Sequence, residues 1–246
     1  MNKALFYQNA LFFKKNYLKY FSLMFLVPMA LYAFNVLFVA SYFDNQDFKI
    51  WASVGMWIAC PLLLSYMYTY DIMSSTVRKN KNVNFIFSSH ISIFNIFLVI
   101  VIMASIIAII SFLCSYFILF ILIGNMISVI NFCYLLLSVI SVVLFFISIG
   151  LILGIYDKKN IGISFVMLFC CSMIQFSYIH IEDRLLGNFM GTYNPIFNVV
   201  SNCSAFILNS SKFSMEPIVV MLIISIIFLS ITLFSLNVLM NRKYER

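Results

Sequence analysis

From Asn82 to Tyr156 the chain contains no Asp, Glu, Lys or Arg. A soluble domain cannot cover its surface over such a stretch. Backbone amides and carbonyls cannot stay unpaired in hydrocarbon, so the tract must cross a membrane as helices or as a closed barrel. Its apolar runs are continuous and about 20 residues or longer, without the dyad alternation of barrel strands, which selects helices. The rest of the chain agrees, with 64% of 246 residues hydrophobic and only 9% charged. The expected fold is all-α, one membrane domain with no soluble domain attached.

The net charge of +7 does not point to nucleic acid, because the basic residues sit beside the ends of apolar runs. There they set topology and meet anionic headgroups, and no basic face with interleaved aromatics exists outside the spans. The charge-free tract fits two long spans, roughly Ile91–Ile123 and Met126–Tyr156, joined near Gly124–Asn125. Three shorter spans also fit by length. With two, the cytoplasmic side holds Lys3, Lys14, Lys15, Lys19, Arg78, Lys79, Lys81, Lys158, Lys159, Arg242, Lys243 and Arg246, leaving only Lys49, Arg184 and Lys212 outside. The positive-inside rule favours this arrangement.

In chain order, residues 1–20 read as an amphipathic helix in the inner interface, with Leu5 and the aromatics on one side and four lysines on the other; Asn9 and Asn16 spoil the apolar side. The following apolar run is too long for a signal peptide. The membrane domain is assigned to 21–246. Its first span is about Phe21–Ser41, with a kink expected at Pro28, and its second runs from Trp51 past Pro61 to about Tyr70. After the two long spans, span five is about Asn160–Ile181 and the last runs from Pro217 to near Met240. Between those two, residues 182–215 mix charge, Gly and Pro with apolar patches, which suggests a pair of short external re-entrant helices turning near Tyr193-Asn194-Pro195. The count is six transmembrane helices, multi-pass, with both termini cytoplasmic.

No ionisable residue lies at mid-depth in any of these spans, and no metalloprotease, serine-hydrolase or phosphate-loop motif is present. The chain therefore does not read as an enzyme, nor as a proton- or sodium-driven carrier, which needs a charged relay. No metal site is expected. His180, Glu182 and Asp183 read as a solvated helix end, and Cys60, Cys114, Cys133, Cys170, Cys171 and Cys203 as small apolar packing residues.

Attention then falls on the cytoplasmic segment 70–90, YDIMSSTVRKNKNVNFIFSSH. Asp71 followed by Ser74, Ser75 and Thr76 is suited to opening a short helix, with Arg78, Lys79 and Lys81 behind it. Such a helix, flush with the membrane, is a surface that a cytosolic subunit can grip.

The order of parts resembles the ABC-2 family (type V) of ABC-transporter permeases: an amino-terminal interfacial helix, six spans, a coupling helix between spans two and three, and re-entrant helices before span six. Locally, Asp71, Ser75-Thr76, Phe85-Ile86-Phe87 and Ser89-His90-Ile91-Ser92 stand where the family shows an acidic residue, Gly-Thr, a Leu-rich stretch and Ser-Pro-Ile-Ser. The chain departs from that pattern with aspartate for glutamate, serine for glycine, histidine for proline, and extra residues around 78–84. In size and composition it is similar to permeases of Gram-positive peptide exporters, such as lantibiotic-immunity transporters and the phenol-soluble modulin exporter.

The resemblance implies a bacterial cytoplasmic-membrane subunit that pairs with a second permease copy or a paralogue. It also implies a cytosolic ABC ATPase partner that carries the ATP and Mg, while this chain binds no cofactor. Asp71, Ser75, Thr76 and Arg78 would form the ATPase-coupling surface. The Phe- and Met-rich, uncharged spans suit an amphipathic or hydrophobic peptide leaving from the bilayer. The alternative is a non-transporting immunity or scaffold protein that sequesters a membrane-active peptide.

Overall fold

The computed structural model describes residues 3–37, 46–78, 92–124, 127–156, 166, 193–207 and 214–244. All elements among them are helical. These are α1 (Lys3–Lys15), α2 (Tyr17–Leu31) continued by a π-helical turn (Tyr32–Leu37), α3 (Gln46–Arg78), α4 (Ile93–Ile123), α5 (Val129–Tyr156), α6 (Pro195–Ile207) and α7 (Glu216–Tyr244). Four of them, α3, α4, α5 and α7, are long and apolar enough to cross a membrane. The chain is a membrane protein. Apart from Val166, which is helical and buried, the apolar run expected as span five lies outside the described residues, as do segment 79–91, the His180, Glu182 and Asp183 group, Cys170 and Cys171.

Two polar contacts define the ends of the bundle. At one end Lys19 of α2 meets Asp71 of α3, and at the other the Tyr134 hydroxyl of α5 donates to the Ser214 carbonyl just before α7. With its π turn, α2 leads from the Asp71 end to the far end, where the Tyr32 hydroxyl donates to the Leu122 carbonyl of α4 at 3.4 Å. Pro28 withholds one amide from the helical ladder a turn before the π segment begins, so the kink expected there is followed by a change of helix type.

The long hairpin of α4 and α5 follows the sequence reading closely. Ser92 caps α4 by accepting from the Asn95 amide, Gly124 ends it in the left-handed region (φ 79°), and Ser128 accepts from the Asn131 amide ahead of α5. The turn therefore depends on a residue without a Cβ at position 124.

The core is built around α3. Ninety-four per cent of its most apolar window is buried, against 22% for α7. It packs most extensively on α5 and then on α4, while α7 lies on the outer side of α5. The α3–α5 contact is close because α5 places Gly150 and Gly154 one turn apart on the facing side. A Cβ on Gly150 would stand 2.1 Å from the Thr69 Oγ1, and one on Gly154 would stand 2.8 Å from the Met73 Cβ and 2.9 Å from the Tyr70 carbonyl. Small residues spaced by four let two backbones approach, and in lipid that packing supplies much of the attraction between helices. The Gly-x-x-x-Gly spelling is present in the sequence, yet nothing local names its partner.

Candidate functional site

The sequence reading ends span two near Tyr70 and starts a separate helix at Asp71. In the structure α3 instead runs unbroken through Arg78, so Asp71, Ser75, Thr76 and Arg78 all lie in its last turns. The hydroxyls that looked like caps turn back on their own helix: Ser74 Oγ donates to the Asp71 carbonyl at 3.1 Å and Ser75 Oγ to the Ile72 carbonyl at 2.9 Å. This back-bonding satisfies the hydroxyls without starting a new helix. The side chains of Thr76 and Arg78 lie outside the described positions, as does the remainder of the expected coupling segment.

Asp71 is not a free acidic residue on a surface. Its Oδ2 accepts from Lys19 Nζ at 2.5 Å and from the Tyr20 hydroxyl at 2.9 Å. Tyr20 is fully buried. Its ring stacks on Phe13 of α1 at 5.6 Å and meets Tyr68 of α3 edge-on at 5.9 Å, while Phe12 of α1 meets Tyr68 at 6.1 Å. The Tyr68 hydroxyl donates to Asn9 Oδ1 at 3.3 Å. An aromatic knot with an ion pair on its rim thus holds the amino-terminal helices against the end of α3.

The segment expected to lie in the interface is helical from Lys3 but divided into α1 and the start of α2. Lys14, Lys15 and Lys19 are exposed, as the amphipathic reading expects. The chain bends at Asn16, whose side-chain amide donates to the Phe12 carbonyl at 3.0 Å and whose own backbone leaves the helical region (φ −107°, ψ 15°). Asn9, which seemed only to spoil the apolar side, is buried as the acceptor for Tyr68. Both asparagines therefore have work that helical periodicity alone could not reveal: one makes the joint and the other fastens the helix.

At the opposite end, Asn194 and Pro195 open α6. Asn194 Oδ1 accepts from the amides of Ile196 and Phe197, and proline occupies the first helical position, where it loses no bond. The Asn202 side-chain amide donates to both the Tyr134 hydroxyl (2.8 Å) and the Ser214 carbonyl (3.0 Å), tying α6 to α5 and to the start of α7. Cys203 had no partner that sequence could suggest. It is buried on α6, which packs against α5. Cys60, Cys114, Cys133 and Cys203 are free thiols. Among the described residues no three His, Cys, Asp or Glu side chains converge as a metal site.

No protein-family model, curated protein or solved structure matches the chain. The fold and the site define a polytopic helical membrane protein whose central helix is clasped at one end by its amino-terminal helices.

Proposed function

We propose that the protein is the membrane-spanning permease subunit of an ATP-driven ABC exporter of the ABC-2 (type V) kind, moving amphipathic or hydrophobic peptides across or out of the bacterial cytoplasmic membrane. The observation that carries this reading is the clasp on Asp71. It fastens α1 and α2 to the end of α3 that leads directly into the basic connection 79–91, and α3 is the most buried of the long helices. Force delivered to that connection by a cytosolic ATPase enters the centre of the bundle and reaches α5 through the Gly150–Thr69 contact. In this reading Asp71 serves as an internal strut, and the docking surface proper is formed by Ser75, Thr76, Arg78 and the connection that follows.

The six-span topology belongs to the same proposal. The chain leaves α5 at the Asp71 end, where Gly154 meets Tyr70, and after the single described residue Val166 it is next described in α6 at the Tyr134 end. A return crossing between them matches the apolar run Asn160–Ile181. With α2 and its π turn counted as span one, both termini then fall on the cytoplasmic side, and α6 becomes the second half of an external re-entrant pair. The ATPase, with its ATP and Mg, and a second permease copy or paralogue complete the transporter.

The test is copurification. A nucleotide-hydrolysing subunit retained by the full chain and lost on deletion of residues 74–84 supports the assignment. A stable, correctly inserted protein that recruits no ATPase in its native host rejects it. Cysteine accessibility in intact cells checks the topology independently, since labelling of residues 79–91 from outside would reverse it.

A further inference from the structure

Buried hydroxyls in this bundle find acceptors on their own helices: Ser65, Thr69, Ser115, Ser138, Ser141, Ser148, Ser204 and Thr232 all donate to a carbonyl three or four residues back. Among the described residues, Trp57 Nε1 on α3 and Ser111 Oγ on α4 depart from that pattern, being buried with no hydrogen-bond partner. Trp57 is 2% exposed and Ser111 fully buried. A serine can satisfy itself by rotating toward the preceding turn, but an indole N–H cannot reach its own helix, so Trp57 is the more informative of the two. An unmade bond to a buried donor costs about 1–3 kcal/mol, and an acceptor brought by another molecule would remove that cost.

The surroundings suit such a molecule. The Trp57 ring packs on Tyr116 of α4 at 5.5 Å, and Tyr116 packs on Phe132 of α5 at 5.0 Å. Phe112 lies beside both, 6.3 Å from Tyr116 and 5.4 Å from Phe132. Three helices thus contribute one aromatic cluster. Trp57 itself is about 17 Å along α3 from its first residue, well inside the bundle. The cluster carries no charge, and the indole can only donate. Its ligand must therefore present an apolar body and a hydrogen-bond acceptor such as a carbonyl.

We propose that Trp57, with Tyr116, Phe112 and Phe132, forms an intramembrane binding site for an amphipathic peptide, which enters by parting the α3–α4 seam and accepts a hydrogen bond from the Trp57 indole through a carbonyl. The proposal rests on the permease reading and adds to it the place where cargo is held.

The experiment uses the full chain in nanodiscs with Trp51→Phe, which leaves Trp57 as the single indole. The probe is a synthetic Leu/Lys amphipathic peptide lacking Trp and Tyr. Saturable change in Trp57 emission and a raised thermal-unfolding midpoint are expected. Replacing Trp57 by benzothienylalanine keeps the ring and removes the donor; with the indole reporter gone, affinity is read from the peptide-dependent rise of the unfolding midpoint, and it should weaken about tenfold, the equivalent of one hydrogen bond in a dry site. Tyr116→Leu should weaken it about threefold, because it removes the ring that packs on Trp57 and Phe132. Unchanged affinity in both folded variants overturns the proposal, as does an emission change produced by short-chain phosphatidylcholine but not by the peptide. No ATPase is present in the assay. An ATPase-binding chain whose Trp57 ignores the peptide therefore loses only this site, whereas a peptide-binding chain that recruits no ATPase loses only the permease assignment.

Discussion

The two helices at the extremes of burial, α3 and α7, invert the rule that governs soluble proteins. α3 is the more polar, carrying Ser53, Ser65, Thr69 and Asp71 along with its tyrosines, and it is buried on every side. α7 is the more apolar of the two, with no charge and four hydroxyl side chains (Ser225, Ser230, Thr232 and Ser235) between Pro217 and Val238, yet it turns Val219, Ile223, Ile226, Ile227, Ile231 and Phe234 outward. In water the apolar helix would be the one inside. In lipid, transfer of an aliphatic side chain from bilayer to protein interior gains nothing, so apolar surface has no reason to hide. What collects in the middle is whatever needs a partner: hydroxyls, a carboxylate, and backbone that another backbone can approach closely. The location of polar and small residues, more than of apolar ones, decides the packing order of this bundle.

The largest expected effect tests that statement at its tightest contact. Gly150→Leu drives a side chain into Thr69 and the Tyr66 carbonyl, neither of which can withdraw far, because Thr69 is itself bonded to its own helix. A loss of about 3 kcal/mol or more, or failure to accumulate folded protein, is expected on overpacking grounds. The matched change Ile227→Leu on the exposed face of α7 should leave the unfolding midpoint unmoved. Equal sensitivity at the two positions, read by thermal unfolding in detergent, breaks the contrast between the helices.

Next in size is the clasp. Tyr20→Phe removes a buried donor from a carboxylate that keeps Lys19, and should cost about 1–2 kcal/mol. The Lys19–Asp71 pair is partly solvated, with side-chain exposures of 43% and 26%, so a double-mutant cycle of Lys19→Ala with Asp71→Ala should give a coupling of at most about 1 kcal/mol after allowance for screening. The contrast is sharpened if Tyr20→Phe also increases proteolytic access to the Asn16 joint while Lys19→Ala does not. It fails if the exposed ion pair proves the stronger element.

A similar cost is expected at the far end, where Tyr134→Phe deletes a hydroxyl that donates to Ser214 and accepts from Asn202. Asn202 keeps its bond to the Ser214 carbonyl, which limits the loss to about 1 kcal/mol. Hydrogen exchange should show faster opening of α6 amides with the exchange of α3 amides unaltered. Matching acceleration in α3 would mean that α6 and the core open as one unit.

These sites differ in how far the sequence revealed them. The α4–α5 hairpin was legible because a charge-free apolar tract long enough for two spans, with one glycine between them, is a local signal with a local cause; the capping serines Ser92 and Ser128 fall inside the expected spans and were not read as helix starts. The knot around Asp71 was not, since Lys19 lies fifty-two residues earlier and nothing near either residue names the other. The acidic residue beside three hydroxyls resembled a helix start; in the structure its carboxylate is engaged by Lys19 and Tyr20, and Ser74 and Ser75 bond back to their own turn. Asn9 and Asn16 disturbed a periodic pattern, and a single helix offers no way to tell a defect from a fastening. Gly150 and Gly154 could have been noticed from spacing alone, although their meaning depends on Thr69 and Met73 being opposite.

The smallest predicted effect asks whether a hydrogen bond between helices is worth more than one within a helix when both are surrounded by apolar groups. Ser225 of α7 is buried and donates to the Ser141 carbonyl of α5 at 2.9 Å and to the Met221 carbonyl of its own helix at 2.8 Å. Ser230, nearly a turn and a half further along α7, is exposed and donates only to the Ile226 carbonyl at 2.9 Å. Interhelical bonds in lipid average about 0.6 kcal/mol, because the separated helices retain their own acceptors. Ser225→Ala should therefore destabilise by about that amount and Ser230→Ala by about zero, measured as reversible unfolding in mixed micelles. A difference well above this would make the Ser225–Ser141 contact a second anchor of α7. No difference would leave α7 held by side-chain packing alone, including the edge-on contact of Phe228 with Phe145 at 4.8 Å. Either outcome measures how firmly the least buried of the four long helices is attached to the helix that grips the core.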